Sequence, residues 1–195
     1  MSRSLEEWAG AYVGGPPLLT GPVRVVDYDP QWPLLFGREE QRIRAVLGDT
    51  VISVAHVGST SVPGLAAKPV IDIDLIVPSS ADEDSYAPQL AASGYRLVIR
   101  EPDWHEHRCL KGPDTDINLH VFSPGSPEVV RHQIFRDWLR AHPEDRELYG
   151  RMKKDVATRG WRFIQEYNNA KEPVIHEIYA RAFAALGSPS SPRHP

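Results

Sequence analysis

The sequence predicts an α+β domain: a mixed β-sheet with flanking helices and a helical C-terminal part. Three observations carry this reading. Short β-branched runs, bounded by Gly and Pro, concentrate before Phe122. Apolar residues at helical spacing dominate from Pro127 onward. The length of 195 residues suits one domain with short appendages. Strands gathered early and helices gathered late distinguish this arrangement from an alternating α/β chain.

In chain order, residues 1–21 form an N-terminal arm, with Leu5, Trp8 and Tyr12 at helical spacing before the breaker Gly14-Gly15-Pro16-Pro17. A helix docked on the body, or an arm reaching a second subunit, fits that pattern. The domain follows over 22–186. Residues 23–27 read as a strand, closed by Asp29-Pro30. Residues 32–47 carry Trp32, Leu35, Phe36, Ile43, Val46 and Leu47 on one face, an amphipathic helix stopped by Gly48. Residues 51–57 and 70–77 read as strands around a turn-rich loop at 58–64. They should be neighbours, because consecutive strands usually adjoin. Residues 82–93 read as a helix capped by Gly94. Three short strands follow at 95–99, 108–111 and 116–122. Residues 127–141 read as a helix, and 144–186 as a helical wall of a cleft. The polar, Pro-rich tail 187–195 buries too little apolar surface to offset its ordering entropy and should be disordered.

Composition narrows the function. Twenty-two basic and 26 acidic residues leave a net charge of −4, against a dedicated nucleic-acid binder with its strongly basic face. A local basic pocket for a phosphorylated small molecule remains open. Cys109 is the single cysteine, which excludes an intramolecular disulfide and a cysteine-based structural zinc site. No run approaches 18 consecutive apolar residues, so no membrane span is expected. Acidic residues occupy the N-terminal stretch where a signal peptide would have its apolar core. A cytoplasmic location follows as the simplest expectation.

Asp72 and Asp74 stand out, because every other member of 70–77 is apolar. Strand alternation puts both on one face and Ile71, Ile73 and Leu75 on the other. Two carboxylates on a half-buried face repel each other and are costly to desolvate. A divalent cation relieves both costs, and Mg²⁺ is often held by one or two carboxylates plus substrate phosphates. A solvent-facing polar stripe at a sheet edge is the plain alternative. Gly58 and Ser59 directly follow the preceding strand. Small residues there let backbone N–H groups approach a phosphate, and the Ser hydroxyl adds a donor.

An apolar residue, Gly-Ser, a spacer and then Asp-x-Asp in an apolar run resembles the nucleotidyltransferase superfamily that includes polymerase beta. The GrpB family is resembled more closely. Its opening motif is matched by Val-Asp-Tyr-Asp-Pro-Gln-Trp-Pro at 26–33. Its most specific stretch is matched at 56–74, from His-Val-Gly-Ser-Thr-Ser-Val-Pro-Gly to Val-Ile-Asp-Ile-Asp. Asn-Leu-His-Val-Phe at 118–122, Phe-Arg-Asp-Trp-Leu-Arg-Ala-His-Pro at 135–143 and Tyr-Asn-Asn-Ala-Lys at 167–171 follow in the family's order. The match covers about residues 22–185.

The resemblance implies a nucleotidyltransferase-like fold in which Gly58 and Ser59 hold nucleotide phosphates. Asp72 and Asp74 would hold the metal ions, Mg²⁺ or Mn²⁺, that activate the acceptor and steady the leaving pyrophosphate. The implied reaction moves a nucleoside monophosphate from a nucleoside triphosphate to a small-molecule acceptor. Adenylation of a carboxylate, leading to ligation, is one form of it. Some family members are fused to dephospho-coenzyme A kinase. A non-catalytic nucleotide- or coenzyme-binding module is the alternative reading of the same pocket.

The superfamily adds a third carboxylate on a later strand. Here Asp116, Asn118 and His120 share one face of 116–122, and Asn118 replaces the first of two histidines usual in the family. The third ligand is then His120, which also suits a general base, or Asp116. A histidine ligand tolerates Mn²⁺ or Zn²⁺ better than Mg²⁺. A hydrogen-bonded, half-buried histidine is the structural alternative. Lys68, Arg108 and Lys171 are candidate phosphate-binding cations. Arg136 and Arg140, one helical turn apart, offer either a bidentate grip or a solvated face paired with Asp137 and Glu144, and Arg140 suits the latter. His56 orients the phosphate loop or is a satisfied core histidine. His105, Glu106 and His107 lack the spacing of a zinc-protease helix, and Pro102 places them in a loop over the site. Cys109 has no adjacent base and is no nucleophile.

Overall fold

Residues 32–47 form α1 (Trp32–Leu47) because their apolar face has a partner. Pro33 sits in the first turn, where its missing N–H costs nothing, and Gly48 at φ 54° ends the helix. In the computed structural model, which describes residues 9–187, Trp32, Ile43 and Leu47 of this helix are buried against a five-stranded mixed sheet. The strands are β1 (Ser53–Val57), β2 (Ile71–Ile76), β3 (Arg96–Glu101), β4 (His107–Lys111) and β5 (Ile117–Phe122). Their spatial order is β1-β2-β5-β4-β3. Only β2 and β5 run parallel; the other pairs are antiparallel. Ile71, Ile73, Leu75, Leu110, Ile117, Leu119 and Val121 fill one face beneath α1 and the short α2 (Ala87–Ala92).

The opposite face meets α3 (Pro127–Ala141), with which α4 (Pro143–Ala157), α5 (Ile164–Asn169) and α6 (Glu172–Gly187) build the helical layer. The helical region 144–186 holds the two runs carrying Leu148, Met152 and Val156 and carrying Val174, Ile178 and Phe183, with the short α5 between them. The first break falls around Gly160, after which Glu166 Oε2 accepts from the N–H groups of Arg162 and Phe163 and starts α5 afresh. The second falls at Ala170-Lys171, before Pro173 opens α6. Residues 82–93 likewise divide into a 3₁₀ turn and α2, whose first turn holds Pro88.

Residues 23–27 are not a strand. Val26 and Ala67 exchange a single pair of backbone hydrogen bonds, each 2.9 Å. Val23 packs beside Val156, Ala157 and Tyr167 among the helices, while Val26 leans on the sheet core. An extended segment that ties two cores together cannot also run along a sheet edge. Part of the arm docks on its own domain. Tyr12 bridges Ile99 on the edge strand β3, and Val13 N–H donates to Val98 O at 3.0 Å, which shields that edge. Leu5, Trp8 and the tail from Ser188 lie outside the described residues. Among the described residues no helix is long and apolar enough to cross a membrane.

Asp145 locks the helical layer. It accepts from Trp138 Nε1 of α3 at 2.7 Å and from Arg181 of α6 at 2.7 and 3.1 Å. Burial opposes its charge, but these donors outweigh burial and hold the carboxyl below its ordinary range. A depressed carboxyl contributes stability above about pH 4 that is lost as pH falls through the folded-state value. Asp145→Asn should therefore lower Tm at pH 7, with the two Tm curves converging in acid. Circular dichroism melts between pH 2 and 8 check this; curves that stay parallel would place the loss elsewhere.

Candidate functional site

Strand alternation delivers Asp72 and Asp74 to the face away from α1, and register supplies their neighbours. Asp72 lies opposite Val57 on β1 and Asn118 on β5; Asp74 lies opposite Ala55 and His120. Asn118 Nδ2 donates to Asp72 Oδ1 at 2.7 Å, and His120 Nε2 stands 3.9 Å from the same oxygen. Burial works against the Asp72 charge, yet His120, Asn118 and Lys68 prevail and lower its pKa to about 2. Asp74, 1% exposed, meets His132 Nδ1 of α3 at 3.0 and 3.1 Å. Burial opposes a charged His132, but the Asp74 bond and charge overcome it and raise the imidazole pKa. Each carboxylate thus has its own partner from a neighbouring element, and the simple repulsion expected from the sequence does not describe the pair.

A chain of side chains extends from this point. His107 Nε2 lies 2.9 Å from His120 Nδ1, and His107 Nδ1 lies 2.5 Å from Glu101 Oε2. If both rings are neutral, Glu101 accepts from His107 Nδ1–H and His107 Nε2 accepts from His120 Nδ1–H. That order leaves the His120 Nε2 lone pair for a metal or a proton, whereas a protonated His120 directs Nε2–H at Asp72 and is the form that lowers the Asp72 pKa.

The sequence reading missed Glu101 and His132, and it set His107 in a loop where the structure has the first residue of β4. The turn at Trp104–Glu106 is tight, with His105 and Glu106 at φ 54° and 50°, so β4 begins at His107. Starting that strand one residue earlier would have put His107 on the face of Cys109 and Lys111. His105 and Glu106 themselves are exposed, outside the cluster. His132 gives no local signal, since α3 arrives by tertiary packing.

Gly58 fits because nothing larger does. Its φ is 65°, and an added Cβ would stand 2.3 Å from Asp72 Oδ2 and 2.8 Å from Asp72 Cβ. The following 3₁₀ turn is tied by Ser61 Oγ donating to Gly58 O at 2.6 Å and Thr60 Oγ1 to Val70 O at 3.3 Å. His56, on the α1 side of the sheet, stacks on Phe36 and reaches Thr60 Oγ1 at 3.0 Å. Burial, with Arg140 and Arg136 nearby, lowers its pKa to about 4, so His56 steadies the loop as a neutral ring. Arg136 donates to His56 O at 3.1 Å, and Arg140 donates twice to Ser61 O at 2.7 and 3.0 Å. The two arginines clamp the loop's backbone to α3 and also pair with the exposed Asp137, as expected for this helix face, Arg136 at 2.7 Å and the largely exposed Arg140 at 3.7 Å.

Lys68 and Lys171 converge over the ring of the fully buried Tyr167, their Nζ atoms 5.4 and 4.4 Å from its centroid. Burial and the Lys68 charge lower the Lys171 pKa to about 7. Arg108 does not join them. It lies on the opposite face of the sheet, where its Nε donates to Glu83 at 2.5 Å, because β4 alternates and His107 holds the site-facing position. Asp116 is 61% exposed and paired with Lys111 at 3.1 Å, away from the carboxylates. Burial pushes the Cys109 thiol up to about 12, which removes it as a nucleophile.

Among the described residues no three His, Cys, Asp or Glu side chains are gathered closely enough to cage a metal. Asp72 and Asp74 could hold a cation only together with a phosphate that supplies further oxygen ligands. A shallow concavity of about 430 Å³, lined by residues 22–25, Lys154, Ala157 and Thr158, contains none of these groups.

Residues 22–181 match the family described as GrpB protein. The chain is 57% identical over 162 residues to the UPF0157 protein BH1888 of Halalkalibacterium halodurans, covering 83% of each. It is 32% identical to the dephospho-CoA kinase of Mycolicibacterium paratuberculosis, over 83% of this chain and 46% of that one. The crystal structure of the conserved protein GrpB from Enterococcus faecalis superposes with a TM-score of 0.75 at 32% identity, covering 85% of this chain and all of that one.

Proposed function

The chain belongs to the GrpB family, and on that premise we propose that it is a metal-dependent enzyme of nucleotidyltransferase-like fold, transferring a nucleoside monophosphate from a nucleoside triphosphate to a small-molecule acceptor. The observation that carries this reading is the Gly58–Ser59 turn packed directly against Asp72, with Asp74 beside it on the same face. Such chemistry is mostly positioning and charge stabilisation, so few residues suffice. The Ser59 hydroxyl and the N–H groups of the turn hold phosphate oxygens. Lys68 and Lys171 neutralise them. Asp72 and Asp74 would hold Mg²⁺ or Mn²⁺, which would supply charge neutralisation at the reacting phosphate, and His120 Nε2 stays free as the base. An acceptor oxygen attacks the α-phosphorus, and the bond to the leaving pyrophosphate breaks. Where the acceptor is a hydroxyl, its proton passes to His120 Nε2. Where it is a carboxylate, the product is a mixed anhydride ready for ligation. A compartment rich in nucleoside triphosphates, the cytoplasm, suits this reading.

A non-catalytic nucleotide- or coenzyme-binding module is the second reading. The match to 46% of a chain named dephospho-CoA kinase favours it. Calorimetric titration of ATP, CTP, GTP and UTP separates the two. A triphosphate should bind weakly alone and much more tightly with Mn²⁺, because the metal bridges carboxylate to phosphate. Ser59→Ala should weaken that metal-dependent binding by about 1–3 kcal/mol, the cost of one charge-assisted donor. Failure of all four nucleotides, with a coenzyme bound instead, would leave the module. Binding that strengthens when metal is chelated would overturn the site.

A further inference from the structure

Lys153 of α4 is 2% exposed and its Nζ has no hydrogen-bond partner. A lysine on a helix normally snorkels to water, as neighbouring Lys154 does to reach Asp27. A buried ammonium without a partner is costly, so its presence calls for an anion. Lys153 is not isolated among cations. Its Nζ lies 4.4 Å from the Tyr149 ring centroid, while Lys171 and Lys68 share the Tyr167 ring. Each amine thus lies over an aromatic ring face, a weak substitute for an anion. Burial and the other two lysines hold Lys153 well below the ordinary lysine range. The one carboxylate felt by all three is Asp72, already engaged by Asn118. In a chain of net charge −4, this local excess of cations is no by-product of basic composition.

We propose that the buried Lys153 and the half-buried Lys68 and Lys171, brought together from α4, from the loop before β2 and from the α5–α6 junction, form one site for the terminal phosphates of a polyphosphate ligand. Compact ammonium groups from three directions suit a multiply charged tetrahedral anion better than a planar carboxylate. The pocket adjoins the Gly58–Ser59 turn, because Tyr149 contacts Ser59. The nucleotide reading names the source of the phosphates, and the pocket is tested without it.

The probe is inorganic tripolyphosphate in chelator, followed by calorimetry and thermal melts. Lys153→Met removes a buried amine that has no hydrogen-bond partner while keeping the volume, so its ligand-free Tm should equal or exceed that of the wild type. Its tripolyphosphate affinity should fall about tenfold or more, the loss of one charge-assisted contact. A lysine with a purely structural role would show the reverse pattern, lower Tm and unchanged binding. Asp72→Asn should keep or strengthen tripolyphosphate binding, since it removes a competing anion. Lys171→Met provides the same readout should Lys153→Met fail to fold. No binding to the wild type, or equal binding to both lysine variants, overturns the pocket. Tripolyphosphate binding lost in the lysine variants, without metal-dependent nucleotide binding in the wild type, keeps the pocket and removes the transferase reading. Metal-dependent nucleotide binding indifferent to both lysine variants does the opposite.

Discussion

Asp72→Asn is expected to abolish Mn²⁺-dependent nucleotide binding and to cut pyrophosphate release by about 10²–10³-fold, the scale set by removing one group that organises transition-state charge. The substitution keeps shape, and the new amide can still offer its oxygen to Asn118 Nδ2. What it removes is the charge. Asp72 is ionised throughout the physiological range, with its pKa lowered to about 2 against burial by His120, Asn118 and Lys68. The sign of the stability change follows. A carboxyl depressed in the fold contributes stability present above about pH 4 and lost as pH falls towards 2. The metal-free variant should therefore melt below the wild type at pH 7 and match it in acid. Relief of repulsion between the two aspartates, which the sequence alone suggests, would give the opposite sign. Melting with and without Mn²⁺ reads both effects. A variant that keeps the wild-type metal-induced shift shows that Asp72 is no ligand.

Gly58→Ala should be nearly as damaging although it alters no charge. The residue sits at φ 65° and ψ −171°, a region essentially reserved for glycine, where a Cβ costs about 1–3 kcal/mol in backbone strain. The larger effect is steric: that Cβ would stand 2.3 Å from Asp72 Oδ2 and 2.9 Å from Asp72 Cγ, so the carboxylate must turn away. Turning it breaks the 2.7 Å bond from Asn118 and misplaces the phosphate turn together with the metal ligand. Nucleotide affinity in Mn²⁺ should fall to the level of Asp72→Asn. The double variant should be no worse than either single one, since both act through the same carboxylate. Full additivity in nucleotide titrations would mean that the turn and Asp72 work independently.

Much of this architecture was legible along the chain. The α1 boundaries, the pairing of the strand ending at Val57 with the one holding Asp72, and the face shared by Asp72, Asp74, Asn118 and His120 rest on local periodicities that packing preserves. Arg108 shows how fragile the same logic is at a strand end. Placing the start of β4 one residue late hid His107, the histidine on the site face, and made Arg108 look available. The error at 23–27 has another source. A β-branched run has no means of signalling that one end packs on helices and the other on a sheet.

Period-two alternation by itself determined that two carboxylates face one side of a buried strand, and turn chemistry determined that Gly58 and Ser59 precede them. Only the tertiary structure decided what surrounds those groups. His132 and Lys153 come from helices that follow the sheet in sequence, and Glu101 comes from the far edge strand. The reason is physical. Alternation is a property of neighbouring peptide units, whereas burial and ion pairing depend on which distant surfaces meet. The same carboxylate that looks repelled in the sequence is favoured in the fold because of partners 46 and 48 residues along the chain.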